Sequence, residues 1–322
     1  MVRRYLAALL LAVFAAGFVP GCAAQRKPAP PVSKPAIPRA ISRGEGREPR
    51  LKVYVVQTGE VREMGLEEYV AAVVAGEMKN WFPTEALGAQ AILARTFVLE
   101  FVQAHGRSGV NPAAHISTSF EEAQAWNPAN INDRIRKAVA KTRGQVAVHD
   151  GRYIRAWFHS HAGGFTATAK EGLNFKFAEP PYTKVVASRE GRGVPEEFRR
   201  WRAVFGRDEV AEALRNLGQD PGPFNAVKVV RRGPSGRATV LRIGNAEVHA
   251  ADLRTVLGST RMRSTLLTSV LVEGDRVIFA GKGFGHGVGM SQWGAAELAR
   301  RGWSADKIVR YYFKNVDIVK LW

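Results

Sequence analysis

Cysteine is nearly absent: the 322-residue chain has one, Cys22. That excludes an internal disulfide and a cysteine-built zinc cage from the folded body, which must be held by its core. Acids are scarce as well, with 29 Asp and Glu against 47 Lys and Arg and a formal charge of +18. Long apolar runs are missing beyond the N-terminus. The one that exists, Tyr5 to Val19, is cut off at once by Pro20 and Gly21. It is too short for a membrane span, which takes about 20 apolar residues. No internal repeat is visible either.

What is present at the N-terminus reads as an address. A basic start, the short apolar run and the small-residue break at Gly21-Cys22 form an export signal over residues 1–22. The cysteine's placement resembles a lipobox, with Cys22 as the lipid-bearing residue, although Pro20 is unusual there; an ordinary signal peptide is the alternative. Residues 23–50 are rich in Pro and Arg, lack hydrophobic period, and read as a semi-extended tether. At ~3.1 Å per residue such a tether reaches on the order of 80 Å. The chain is expected to be exported to the periplasm or cell envelope, touching membrane only through a lipid on Cys22. Residues 1–50 carry a charge of +7, so the remaining +11 belongs to the body, 51–322. A basic body favours polyanions. Nucleic acid, anionic lipid and bacterial cell-wall polymers all fit such a field, and export argues against nucleic acid.

The body reads as α+β, a mixed structure with antiparallel hairpins and a helical pair. "LKVYVV" and "EVREM" flank Thr58-Gly59, and "QVAVH" and "RYIRAWF" flank Asp150-Gly151, both two-residue hairpin signals. Further strand pairs are expected at 225–243 and 265–281, and helices at 207–217, 294–301 and 304–313. Strands arrive in adjacent hairpins rather than alternating with helices, which favours α+β over a parallel α/β sheet.

In "LEEYVAAVVAGEM" (66–78), Leu66, Tyr69, Val70, Val73 and Val74 share one helical stripe. Three residues further the stripe lands on Glu77, a carboxylate where burial is expected. Desolvation would raise its pKa and let it hold a proton near neutral pH, as a general acid must. The alternative is that Gly76 ends the helix and Glu77 turns to solvent. "PTEALGAQAILARTFVLEFVQ" supplies a second helix with Thr84 as candidate N-cap and an apolar face of Leu87, Ala91, Ala94, Val98 and Phe101. Its polar members Gln90 and Arg95 are candidates to face the same pocket; a structural salt bridge is the alternative for Arg95.

In "WFHSHAGGFTAT" (157–168), His159 and His161 share a face if the strand continues. Two histidines so spaced suit zinc, but a catalytic site needs a third ligand and none follows at a recognisable spacing. A binding loop is the simpler account, with Ser160 as a contact and Gly163 and Gly164 allowing close backbone approach. "GFGHGVGMSQWGA" (283–295) is glycine-rich and acid-free. Its other chemically distinctive members are His286, Ser291, Gln292 and Trp293.

These four motifs, in this order, resemble the SpoIID/LytB family, comprising stage II sporulation protein D and the amidase enhancer LytB; the resemblance spans 51–322. It implies lytic transglycosylation of peptidoglycan, preferentially on glycan strands stripped of stem peptides, with Glu77 as catalytic acid/base. Such a reaction needs one carboxyl group, because the muramic acid C6 hydroxyl replaces water as nucleophile, so the loop at 283–295 need carry no acid. The resemblance implies that this loop binds sugar, with His286, Ser291 and Gln292 as candidates to hydrogen-bond it and Trp293 to stack on a sugar face or to pack beneath the loop. Some clostridial relatives use Cys and His near the "HSxxGG" stretch for zinc; "HSHAGGFT" has no Cys, and no cofactor is expected. The alternative within the family is a noncatalytic glycan-binding enhancer of an N-acetylmuramoyl-L-alanine amidase.

Overall fold

The structure is a computed structural model that describes residues 33–119, 121–191 and 193–322. The export signal and Cys22 lie outside the described residues. A hairpin opens the body: β1 (Arg50–Val55) pairs antiparallel with β2 (Glu60–Gly65). It runs directly into α1 (Leu66–Glu77), and a short loop then reverses the chain into α2 (Thr84–His105). β3 (Ile116–Ser117) joins β1 in parallel. α3 (Asp133–Lys141) starts where the Asn132 side chain accepts from the Ile135 N–H. β4 (Gln145–His149) and β5 (Arg152–Tyr153) form the second expected hairpin. Its turn residues, Asp150 and Gly151, both take positive φ (48° and 72°), as a two-residue turn matched to strand twist requires. Next come β6 (Phe158–His159), α4 (Ala169–Leu173) and α5 (Glu196–Arg199).

A β-rich module follows. It contains β7 (Trp201–Gly206), α6 (Arg207–Asn216), β8 (Val227–Arg232), β9 (Ala238–Ile243), β10 (Ala246–His249), α7 (Ala250–Val256), β11 (Leu267–Glu273) and β12 (Arg276–Gly281). Two three-stranded antiparallel sheets, β10-β9-β8 and β11-β12-β7, enclose its own core around Phe205, Leu241, Leu253 and Phe279. The chain then returns to the larger body through β13 (Met290–Ser291), α8 (Gln292–Arg300), α9 (Ala305–Tyr312) and β14 (Asp317–Lys320). β13 lies parallel to β6, which puts the two loop motifs side by side. The α+β expectation holds, as do the four strand pairs.

α2 is the axis of the larger core. Its buried residues surround the helix, from Ala86 through Val102, because α1, α3, α8 and α9 all pack on it. The one-faced helix expected from sequence is therefore an interior helix. Thr84 is its first residue rather than its cap; Pro83 precedes it without a side-chain cap.

The tether boundary needs correction. Residues 33–50 are part of the body: Ile41 is buried in the larger core, the Tyr153 hydroxyl donates to the Ala36 carbonyl, and Glu48 accepts from the Glu67 N–H at 3.0 Å while pairing with Arg143 at 2.7 Å. A Pro-rich stretch without hydrophobic period can dock through isolated contacts that periodicity does not reveal.

Candidate active site

α1 ends at Glu77, beside a cleft of about 890 Å³. What sets the carboxylate there is a close approach at the preceding residue. A Cβ on Gly76 would stand 2.7 Å from the Ala125 carbonyl carbon, so only glycine lets the 123–127 segment lie against the helix. That contact delivers the Ala125 N–H to Glu77 Oε1 at 2.7 Å; Gln292 Nε2 donates to Oε2 at 3.3 Å. Burial pushes the Glu77 pKa up, with these two hydrogen bonds opposing it only in part. Burial thus shifts the glutamate toward its protonated form, while two donors stand ready for the carboxylate. Among the described lining residues it is the only acid.

Gln292 is held by a chain of contacts that sequence reasoning missed. Ser291 caps α8 by accepting from the Gly294 N–H at 3.2 Å, and its hydroxyl donates to Glu190 at 2.9 Å. The Glu190 side chain, 5% exposed, also accepts from the Ala162 N–H at 2.9 Å and faces His161 Nε2 at 3.7 Å. One buried carboxylate therefore ties "HSHAGG" to "MSQW". Its loop position, in a stretch without period, gave no signal.

The two loop histidines divide differently from expectation. His286 Nδ1 accepts from the Val288 N–H at 3.0 Å and the ring also bonds the Phe158 backbone, so both its nitrogens are spent inside the protein. Burial, with Arg254 and Arg237 nearby, holds its pKa down to about 3. His159 lies 5.8 Å away, centroid to centroid, and its Nδ1 donates to the Val288 carbonyl at 3.1 Å. Its Nε2 is buried without a partner, and burial, then His286 and Arg237, push its pKa well down. His159, rather than His286, offers the cleft an open acceptor. His161 turns instead to Glu190. Among the described residues no three His, Cys, Asp or Glu side chains gather as metal ligands.

Of the other expected contacts, Ser160 lines the cleft. Arg95 does not, and this is a correction. It is fully buried in a salt bridge to Glu67 at 2.6 Å and donates to the Gln145 carbonyl at 2.8 Å. The reason is geometric: Arg95 lies eleven residues into α2, about 16 Å along it, which brings it back opposite the start of α1 rather than its end. Gln90 is buried in the core, away from the cleft lining. Ser291 is fully buried as a cap and is corrected from sugar contact to support. Gly163 and Gly164 also fall outside the lining; Gly163 takes φ +75° where a Cβ would stand 3.1 Å from the Gly283 nitrogen, so it serves loop packing. Trp293 resolves toward packing: it borders the cleft but is 3% exposed, edge-on to Phe82 at 4.8 Å.

Residues from distant segments complete the lining. Gln124, beside Ala125, is buried with both side-chain amide atoms unpartnered. Phe198 and Phe284 form an edge-to-face pair at 5.0 Å on the module side, together with Arg254, Ser259 and Thr260. Neither loop glutamine nor scattered arginine stands out in a sequence so basic.

Comparison with known proteins places these features in a lineage. Residues 54–149 match a family model described as stage II sporulation protein, and 147–289 match a domain of unknown function (DUF8618). Stage II sporulation protein D of Bacillus amyloliquefaciens is 31% identical over 301 residues, covering 86% of this chain and 83% of the relative. The protein of the same name in Bacillus subtilis (strain 168) is 31% identical over 284 residues, 83% of this chain and 78% of its own. The amidase enhancer of Bacillus subtilis (strain 168) is 24% identical over 293 residues, 76% of this chain but 39% of the relative. With the motifs, their order and this coverage agreeing, the chain belongs to the SpoIID/LytB family.

Proposed function

We propose that the protein is a cell-wall lytic transglycosylase that cleaves the glycosidic bond between N-acetylmuramic acid and N-acetylglucosamine, in strands freed of stem peptides. The observation that carries this reading is the solitary, half-buried Glu77, its pKa raised by desolvation, in an extended cleft. Ordinary glycosidases use two carboxyl groups, one to protonate the leaving oxygen and one to attack or to activate water. A single one suffices when the nucleophile belongs to the substrate.

Glu77 protonates the glycosidic oxygen as the C1–O bond breaks, leaving a carboxylate to which Ala125 and Gln292 already donate. That carboxylate takes the proton from the C6 hydroxyl of the same muramic acid while its oxygen bonds to C1. The 1,6-anhydro ring closes, no water is consumed, and Glu77 ends protonated for the next turn. His159 Nε2 is an acceptor for a sugar hydroxyl; the Gln124 amide, with a donor and an acceptor both open, suits an acetamido group. In this reading the protein acts outside the cytoplasm, with Cys22 as a candidate lipid anchor.

The test is mass spectrometry of products from denuded strands incubated with wild type and Glu77→Gln. Anhydro-ended fragments from wild type alone are expected. The name of the amidase enhancer relative supports one other reading, a noncatalytic glycan binder that stimulates a wall amidase. Strand binding without cleavage by either protein, with faster amidase turnover in their presence, would establish it.

A further inference from the structure

We propose that Arg254 is the anion-recognition residue of the cleft, taking the lactyl carboxylate that muramic acid exposes once its stem peptide has been removed. This rests on the glycan-cleavage reading above and names what selects the strand.

Three observations carry it. First, the guanidinium is fixed and under-used. Nε donates to the Arg263 carbonyl and Nη2 to the Ser259 carbonyl, each at 3.2 Å. An arginine has five N–H donors, so three remain, including both on Nη1. Second, no acid answers it. Among the described residues no carboxylate pairs with Arg254, and the charge that bears on it is the like charge of Arg237. The two fully buried arginines are provided for: Arg95 has Glu67, and Arg237 donates to the Phe165 and Ala162 carbonyls and to the Ser235 hydroxyl, with Glu171 and Glu190 near it. Third, Arg254 lines the same cleft as Glu77. Apart from Glu77, the charged side chains of the described lining are two cations, Arg254 and Lys79.

A largely buried cation without a counter-charge is costly unless a ligand supplies one, and arginine's fork suits a carboxylate bidentately. A strand of alternating N-acetylated sugars offers one ionisable group per repeat, the lactyl carboxyl of muramic acid. While a stem peptide is attached that carboxyl is a neutral amide. Hydrolysis of the amide frees it as an anion. The site would therefore read the product of amide hydrolysis.

The experiment is calorimetric binding to Glu77→Gln protein, which holds strands uncut, and to the same protein carrying Arg254→Met or Arg254→Lys. Ligands are a denuded muramic-acid-containing tetrasaccharide, the same tetrasaccharide with its lactyl groups amidated, and chitotetraose, which has the backbone and no lactyl group. The denuded ligand is expected to bind about 10- to 100-fold tighter than either neutral one. Arg254→Met should erase that ratio while leaving chitotetraose affinity within about twofold, and Arg254→Lys should keep part of it. Retained chitotetraose affinity shows that the variant is folded. An unchanged ratio in Arg254→Met would overturn the proposal. Cleavage by wild type together with that unchanged ratio removes Arg254 and leaves the transglycosylase; discrimination through Arg254 without cleavage removes the transglycosylase and leaves Arg254.

Discussion

The cleft has two unlike walls. One is local: Glu77, Gly76 and the 123–127 segment stand where α1 meets a single loop, and the acid sits at a helix end rooted in the larger core. The other is assembled from afar, with Phe198, Arg254, Ser259 and Phe284 drawn from three stretches of chain around a module that has its own core. The first wall carries a proton and the second carries a charge. A reacting group must be placed to within a fraction of an ångström, which a rigid element does best; a charge that recognises a substrate tolerates a looser mount. Changes at Glu77 and at the groups that donate to it should therefore fall on kcat, and those in the second wall on binding.

The sharpest way to break that division is Glu77→Gln. Cleavage of denuded strands should drop by at least about 10³-fold, within the range that general acid catalysis supplies, while strand affinity stays near that of wild type. An equal loss of binding would show that the acid wall holds substrate as well.

Glu190 sits behind both loop motifs and tests whether the acid wall depends on them. Glu190→Ala removes the acceptor for the Ala162 N–H and the Ser291 hydroxyl, leaving buried donors without partners at a cost of about 2–3 kcal/mol. The melting temperature should fall by roughly 5–10 °C. Because Ser291 caps the helix that carries Gln292, kcat should fall with it. Unchanged melting in calorimetry would show that backbone pairing, in β6 with β13 and in the His161–Phe284 and Ala167–Val288 bridges, is enough to hold the two motifs together.

Gln124 sharpens the division from the other side, since it lies on the acid wall without touching the acid's proton. Gln124→Ala should raise KM about 5- to 10-fold and leave kcat within about twofold, the mark of an interaction made equally in ground and transition states. A fall in kcat alone would instead make the amide part of the reacting geometry.

How much of this was legible in sequence follows the same local-versus-distant line. Glu77 announced itself because a helical stripe predicted burial where a carboxylate stands, and the hairpins because two-residue turns have a narrow vocabulary. The same stripe logic misplaced Arg95: periodicity tells which face a residue shares but not which end of a neighbouring helix it will meet. His286 looked like a sugar contact and is a loop fastener, since the partners of its ring nitrogens are backbone groups that any sequence supplies. Gln124, Glu190 and Arg254 lie in segments whose conformation is set by long-range packing, and no period marks them. The glycines of 283–289, by contrast, were signalled by residue type: Gly289, at φ +70°, has the Trp157 carbonyl 2.1 Å from where a Cβ would stand.

The smallest expected effect concerns what the acid wall costs the fold. Burial raises the Glu77 pKa from its ordinary 4.5, so between that value and the raised one the native state holds a proton that the unfolded chain has released. Unfolding then liberates a proton, and stability must decline as pH rises through that window. Glutamine has no proton to lose and keeps the amide's hydrogen-bonding capacity, so Glu77→Gln should escape the decline. The variant is expected to melt above wild type at pH 7.5 and level with it near pH 4. The catalytic counterpart has the same sign: kcat/KM should fall on the alkaline side as Glu77 deprotonates, with its midpoint above the usual carboxylate range. Removing the Gln292 donor, which favours the carboxylate, should move that midpoint further up. If Glu77→Gln melts with wild type at both pH values, Glu77 is not held in a desolvated site, and the second wall, with its unanswered arginine, would have to account for the pH dependence of strand cleavage.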